Sequence, residues 1–287
     1  MTADDTIQRL SFRHSSGRAS PVEVTRLSAL RARGLDHSIH DPTRLTFHML
    51  QFVTEAEGAH WVDFKRIALR PGDVLSVRPD QVHAFDTEAA HESLLLLFTP
   101  DAPRYLGVPV PTRLGADSVL RPAPADFRFL VDLLRLLERI ETTHLRPESV
   151  GTRLLGTLLA GLTDVVAASH GPTDRAALRY EALVRTFEAH LDAHHAVSRS
   201  PTWYAASMGT TPRTLARACR RARGRSPKQM VDARVTLEAK RLLATTDDTA
   251  EAIGYALGFT EATNFVKFFR RVTGTTPDAF RRAPATR

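Results

Sequence analysis

Two groups of side chains in this sequence have the types and spacing to do chemistry. The first comprises Thr211, Arg213, Thr214, Arg217, Arg220 and Arg221, followed about fifty residues later by Thr260, Glu261, Thr263, Asn264, Lys267 and Arg271. A guanidinium donates two parallel hydrogen bonds to the major-groove edge of guanine, and a carboxamide pairs with adenine in a similar way. Near the start of a helix such side chains reach base edges, while basic groups further along hold phosphates and fix register. Seven basic residues and no acidic one lie between Arg213 and Lys228. A single helix with three arginines is most often just a solvated face; recurrence of the pattern argues for a shared task.

The second group is His37, His48, His60 and His83, with Arg78, in the first third of the chain. Imidazole can ligate a metal or donate and accept hydrogen bonds, so these are candidates for lining a small-molecule pocket. His48 alternates with Phe47 and Met49 on a strand pattern and could face an interior. No serine or cysteine nucleophile arrangement and no glycine-rich phosphate loop stands out. Cys219 is the one cysteine, which rules out an internal disulfide or a cysteine zinc cluster. It falls on an apolar helix face and reads as core rather than as a redox switch.

The elements that must carry the first group are visible as a repeat. LARACRRARGRSP (Leu215 to Pro227) aligns with FVKFFRRVTGTTP (Phe265 to Pro277) at an offset of 50 residues. Leu215 matches Phe265, Arg217 matches Lys267, Cys219 matches Phe269, Gly224 matches Gly274 and Pro227 matches Pro277. Upstream of each copy is a short apolar helix with a small residue, Ala205 or Gly254, and a turn glycine, Gly209 or Gly258. Thr211 is a good N-cap with Pro212 at the first helical position, and Thr260 is expected to do the same for the second copy. Leu215, Ala218, Cys219 and Ala222 point inward in one copy; Phe265, Phe268, Phe269 and Val272 do so in the other. Ser226-Pro227 opens a helix to about Leu243 that would hold the two copies at a fixed separation.

The first hundred residues read as short strands: Leu45 to Val53, His60 to Leu69, Val74 to Val77 and Ser93 to Phe98, broken by Glu57-Gly58, Pro71-Gly72 and Pro79-Asp80. Such spacing suggests a sandwich or small barrel. Two leucine-rich amphipathic helices follow, about Asp126 to Ile140 and Val150 to Ala168, which must bury their stripes on the sheet or on another subunit. Charge divides with the elements. From Ala176 onward there are 19 Lys/Arg against 10 Asp/Glu, whereas residues 1–175 carry 20 against 22. A basic excess confined to one part suits a polyanion-binding domain. The start lacks a signal-peptide pattern, no apolar run reaches membrane-spanning length, and a cytoplasmic location is expected with no membrane partner.

The segment RVTLEAKRLLATTDDTAEAIGYALGFTEATNFVKFFRRVTGTTPDAFR (Arg234 to Arg281) resembles the signature of the AraC/XylS family of transcriptional regulators. The first copy matches more loosely, with Trp203-Tyr204 where the family usually has a leucine-type residue. The resemblance implies two recognition helices entering successive major-groove segments. Leu45 to Phe85, with P-G-D at Pro71 and R-P-x-Q-V-H at Arg78 to His83, resembles the cupin-like effector domains joined to such regulators. That implies a barrel binding a small molecule and a hairpin forming a dimer. Metal cupins usually show H-x-H followed by a glutamate, which His37-Ser38-Ile39-His40 fits poorly; only His83 stands where a ligand would be, and it equally suits a turn residue bonded to backbone.

The expected fold is multidomain α+β: a cupin-like β-barrel over residues 1–112, a dimerising helical hairpin over 113–172, and an all-α domain over 173–287. In the last, two helix-turn-helix motifs are joined by a linker helix. The expected function is sequence-specific transcriptional regulation, as activator or repressor, by a homodimer responsive to a small-molecule effector. Double-stranded DNA and RNA polymerase are the expected macromolecular partners. No enzymatic activity, cofactor or metal is expected; the alternative is a metal-dependent cupin enzyme fused to a DNA-binding domain.

Overall fold

The computed structural model describes residues 7–18, 20–32, 39–86, 91–103, 110, 119–140, 143, 147–168 and 175–282. The chain divides into two compact units, residues 7–171 and residues 172–287. The first is built on strands and the second is helical, so the protein is mixed α+β.

In the first unit the strands are β1 (Gln8–Leu10), β2 (Val22–Arg26), β3 (Thr43–Leu45), β4 (His48–Glu55) and β5 (Gly58–Val62), then β6 (Lys65–Leu69), β7 (Val74–Val77), β8 (Val82–Phe85), β9 (Glu92–Phe98) and β10 (Val119–Leu120). A short helix α1 (Leu27–Ala32) follows β2. They form two five-stranded sheets, in the orders β1-β3-β8-β5-β6 and β10-β7-β4-β9-β2. Among the described residues neither sheet closes, so the expected barrel is replaced by a sandwich with open edges. Both arrangements bury one face of each strand with the same alternation, and only edge pairing separates them.

The residues expected as one strand from His60 to Leu69 are a hairpin, because Asp63 and Phe64 both take positive φ, 49° and 66°. That is the backbone of the tight turn whose twist matches its flanking strands. Asp63 is held there by the Gln81 amide (2.6 Å) and the Val82 backbone N–H (3.2 Å), both donating to its carboxylate. The P-G-D and R-P-x-Q-V-H motifs are turn-formers in the same manner. The Arg70 N–H donates to Asp73 (3.2 Å) and the Arg78 N–H to Gln81 Oε1 (2.8 Å).

Between the sheets lies one core, with Leu45, Val62, Ile67 and Phe85 from the first sheet and Met49, Val53, Leu75 and Leu95 from the second. The outer face of the second sheet carries Leu50, Phe52, Val74, Leu94, Leu96 and Phe98. Two helices cover it: α2 (Pro124–Ile140) and α3 (Thr152–Ala168), the latter entered by a π-helical turn at Pro147–Gly151. Leu130, Leu134 and Leu137 of α2 and Leu155, Leu158, Leu159 and Leu162 of α3 are buried in this layer. These leucines of the hairpin thus go to the sheet. Because β4, β7 and β9 are covered on both faces, their sequences are nearly continuous apolar runs. Contrary to expectation, Ser149–Ala168 is long and apolar enough to cross a membrane by length and composition, but its leucines serve this core.

The second unit contains α4 (Arg175–His194), α5 (Pro201–Ser207), α6 (Pro212–Arg223), α7 (Pro227–Thr245), α8 (Ala250–Ala256), α9 (Ala262–Thr273) and α10 (Pro277–Arg282). Its core gathers Val184, Phe187 and Leu191 of α4 with Tyr204, Leu215, Val231, Val235, Ile253, Phe265 and Phe269. Ser226 and Gln229 form a capping box at the start of α7, which sits between the two helix pairs and runs to Thr245. Arg281 of α10 donates to the carbonyls of Leu243 and Asp248, tying the C-terminal helix to the end of α7.

Candidate functional site

Each helix pair in the second unit is assembled by the same local rules. A small residue permits close crossing: a methyl group on Gly254 would stand 3.0 Å from Phe265 Cβ. A left-handed glycine makes the bend, Gly209 at φ 64° and Gly258 at φ 76°. The second helix then buries one face and exposes the other. In α6, Leu215, Ala218 and Cys219 are buried, while Arg213, Thr214, Arg217, Arg220 and Arg221 are exposed. In α9, Phe265, Phe268 and Phe269 are buried, and Thr263, Asn264, Lys267 and Arg271 are exposed with Arg270. Val272, expected inward, is 40% exposed at the end of that helix.

The caps differ. Thr211 caps α6, its hydroxyl accepting from the Thr214 N–H (3.1 Å) and bonding the Thr214 hydroxyl (2.8 Å). Thr260 does not cap α9: the N-cap is Glu261, and its side chain makes no capping bond. The reason is one extra residue, since four residues separate α5 from α6 and five separate α8 from α9. The longer turn carries Phe259 into the core against Phe265 and Phe268 and shifts Thr260 out of the cap position. Glu261 instead accepts from the Thr263 hydroxyl (3.3 Å).

On α6 and α9, Arg223 and Arg271 are tied into the protein. Arg271 donates to Asp232 of α7 (3.3 Å) and lies over the Phe268 ring. Arg223, one of the seven basic residues of the α6 region, forks onto Glu181 (2.6 Å) and Glu188 (2.9 Å) of α4. Those bonds hold its pKa above the ordinary arginine value despite partial burial. Sequence reasoning missed this clamp and the part of α4 in it. The available signal was the Val184, Phe187, Leu191 stripe, with Glu181 and Glu188 two turns apart. Burial pushes the Cys219 thiol up to about 11, as suits an inert core residue.

The histidine group is divided by the sandwich. His60 and His83 lie in its interior, sharing a hydrogen bond at 3.0 Å with rings stacked at 5.2 Å, and Phe85 stands edge-on to both. Thr43 Oγ1 bonds His83 Nε2 at 3.2 Å, so the turn-residue reading of His83 is overturned. Gln51, His91 and Ser93, which no motif or spacing singles out, complete an interior polar cluster. The Gln51 amide donates to His91 Nε2 (2.9 Å) and Ser93 Oγ (3.1 Å). Gly58 makes room for this ring, because any side chain there would overlap it. Buried Gln51 Oε1, His60 Nδ1 and His91 Nδ1 have no hydrogen-bond partner among the described residues. Burial first, then the neighbouring His83 and His91, lowers the His60 pKa well below its usual value; burial and Arg31 lower that of His91.

His48 faces the other way. It stacks on Phe98 at 4.8 Å on the outer side of its sheet, and burial followed by the charge of Arg78 brings its pKa down to about 4. His48 and Arg78 therefore do not line the sandwich interior. His40 bonds the Phe85 carbonyl through Nδ1 (3.0 Å), and His37 lies outside the described residues. Among the described residues no three His, Cys, Asp or Glu side chains are grouped to hold a metal ion.

Helices with exposed basic faces that follow glycine turns are the apparatus of a helix-turn-helix DNA-binding protein, and residues 204–283 match the family model described as a helix-turn-helix domain. The arabinose operon regulatory protein of Salmonella typhimurium (strain LT2) is 25% identical over 267 residues, covering 90% of this chain and 92% of that protein. The chain thus carries a helix-turn-helix domain and is similar over most of its length to a transcriptional regulator of the AraC type. Among solved structures, the DNA-binding domain of the global transcriptional factor AdpA, in complex with a target DNA, is 29% identical with a TM-score of 0.33, covering 35% of this chain and 90% of that one. An AraC-type regulator from Chromobacterium violaceum is 23% identical with a TM-score of 0.34, covering 37% and 95%.

Proposed function

We propose that this protein regulates transcription as a dimer whose two helix pairs both read DNA, and that a small molecule held in the sandwich of residues 7–171 sets its output. The observation that carries the DNA part is the matched pair of exposed polar faces on α6 and α9, each opposite a fully buried stripe. In this reading Arg213, Thr214 and Arg217 on α6, and Thr263, Asn264 and Lys267 on α9, meet base edges. Arg220, Arg221 and Arg271 hold phosphates, and the helix N-termini around Thr211 and Glu261 approach the backbone.

The unpaired atoms of Gln51, His60 and His91 support the effector part. A buried polar atom without a partner is costly, and a ligand offering complementary donors and acceptors offsets that cost. Neutral imidazoles and a carboxamide favour an uncharged, hydrogen-bonding ligand over an ion. Dimerisation is supported by Phe129 and Leu136, 56% and 43% exposed, seven residues apart on α2. The effector acts by favouring one arrangement of the dimer over another.

The test is selection of bound DNA from random sequence by the full-length protein at a stated salt concentration. The expected result is an enriched motif of two segments about one helical turn apart. Enrichment of a single short segment would overturn reading by both helix pairs.

A further inference from the structure

The two helix pairs are joined by more than the helix between them. Arg199, two residues before α5, sends its side chain to the turn of the second pair, 60 residues away. Its guanidinium lies 3.7 Å over the Phe259 ring, and its Nη1 donates to the Leu257 carbonyl at 3.2 Å. In between, Gly258 is pressed on the connector that precedes α5, so closely that a methyl group there would overlap the Ala196 carbonyl oxygen. A second tie comes from α7. Asp232, buried, accepts from Lys228 one turn earlier (2.7 Å) and from Arg271 of α9 (3.3 Å). Its charge also favours the ionised guanidinium of Arg199 against the burial that opposes it.

These contacts grip the turn on which α9 pivots. Gly258 ends α8, and Phe259 is packed under α9. A cation held over an aromatic face and a carbonyl resists both sliding and rotation, since the planar guanidinium makes the two contacts in different directions. An α-helix alone fixes the distance between its ends but leaves the pairs at those ends free to swivel about their packing. The clamp removes that freedom.

We propose that Arg199 is a positioning residue that sets the spacing of the two DNA segments this protein accepts, by locking the α8–α9 turn to the α4–α5 connector. It does not touch DNA in this scheme. The proposal rests on the reading that both helix pairs bind DNA, and its test separates the two.

Two measurements use the full-length protein with Arg199→Ala and the milder Arg199→Gln, which retains a donor but not the cation. The first is the distance distribution between spin labels attached at Arg225→Cys, after α6, and Val272→Cys, at the end of α9, with Cys219 replaced by alanine. A clearly broader distribution in Arg199→Ala is expected, with Arg199→Gln intermediate; equal widths in all three proteins would overturn the clamp. The second is DNA selection with the segment spacing randomised. The wild-type protein should favour one spacing, and Arg199→Ala should accept spacings one or two base pairs longer and shorter, with base preferences inside each segment unchanged. Affinity for the wild-type spacing should fall about tenfold. Evenly weaker binding with the spacing unchanged would mean that Arg199 only stabilises the fold and would overturn the proposal. Broadened distances together with a single-segment motif in the wild type would leave the clamp standing and defeat the two-pair reading on which its function rests. If Arg199→Ala fails to fold, Arg199→Gln carries both tests.

Discussion

Arg213 and Asn264 occupy corresponding faces of α6 and α9, and both are exposed near the helix starts. As proposed base readers, each replaced by alanine should relax preference at its own base pair by about 1–3 kcal/mol, read by affinity for operator variants. Arg220→Ala should instead weaken all sequences alike and lower the dependence of log K on log salt by about one unit. Identical sequence-independent losses from both classes would show that the reader assignment is wrong. The histidines of the sandwich make a separate prediction. His48 has a folded pKa of about 4 against 6.5 unfolded, so as pH falls from 6.5 to about 4 the unfolded chain takes up a proton the folded one refuses. Stability is complete above pH 6.5 and declines through that window. His60 and His91, also lowered, act in the same direction. Urea midpoints of the residue 7–171 transition should drop between pH 7.5 and pH 5, and His48→Gln should flatten that slope.

Among elements, the caps show how one inserted residue changes the accounting. Thr211 satisfies an orphan N–H of α6, whereas Thr260 satisfies none of α9. Thr211→Ala should therefore cost about 1 kcal/mol in chemical denaturation of the helical unit, and Thr260→Ala only a few tenths. Equal costs would mean that the longer turn finds another way to use Thr260. On α2, the stripe buried against the sheet is complete without Phe129 and Leu136. Leu136→Glu should thus leave the fold intact and convert a dimer to a monomer in sedimentation velocity. A dimer that persists in both Leu136→Glu and Phe129→Glu would exclude this face.

For the whole molecule, the proposed function divides the work between the two units by their chemistry. The unit of residues 7–171 buries uncharged polar groups between sheets, which suits recognition of a neutral small molecule. The helical unit turns charge outward on two helices and pairs the charges it cannot expose, as in the Arg223, Glu181, Glu188 group. A partly buried arginine forked onto two carboxylates contributes more than a surface ion pair, and it makes α4 an integral part of the helical unit.

What the sequence determined by itself was local. Caps, glycine bends and the 3.6-residue periodicity of LARACRRARGRSP and FVKFFRRVTGTTP act within a few residues, so the helix pairs, their inward faces and their exposed basic side chains could be read in advance. The tertiary structure decided the rest, because it depended on partners distant in sequence. The alternation of Phe47, His48 and Met49 separated two faces, but both faces of that sheet are buried, so only the packing of α2 and α3 shows which one His48 takes. Gln51, His91 and Ser93 join one cluster across 40 and 42 residues. Arg223 reaches glutamates 35 and 42 residues away, and open sheets rather than a barrel follow from edge strands that do not meet. Short-range order is set by backbone geometry and propensity. Long-range order is set by which buried surfaces and charges find one another, and a local pattern leaves that choice open.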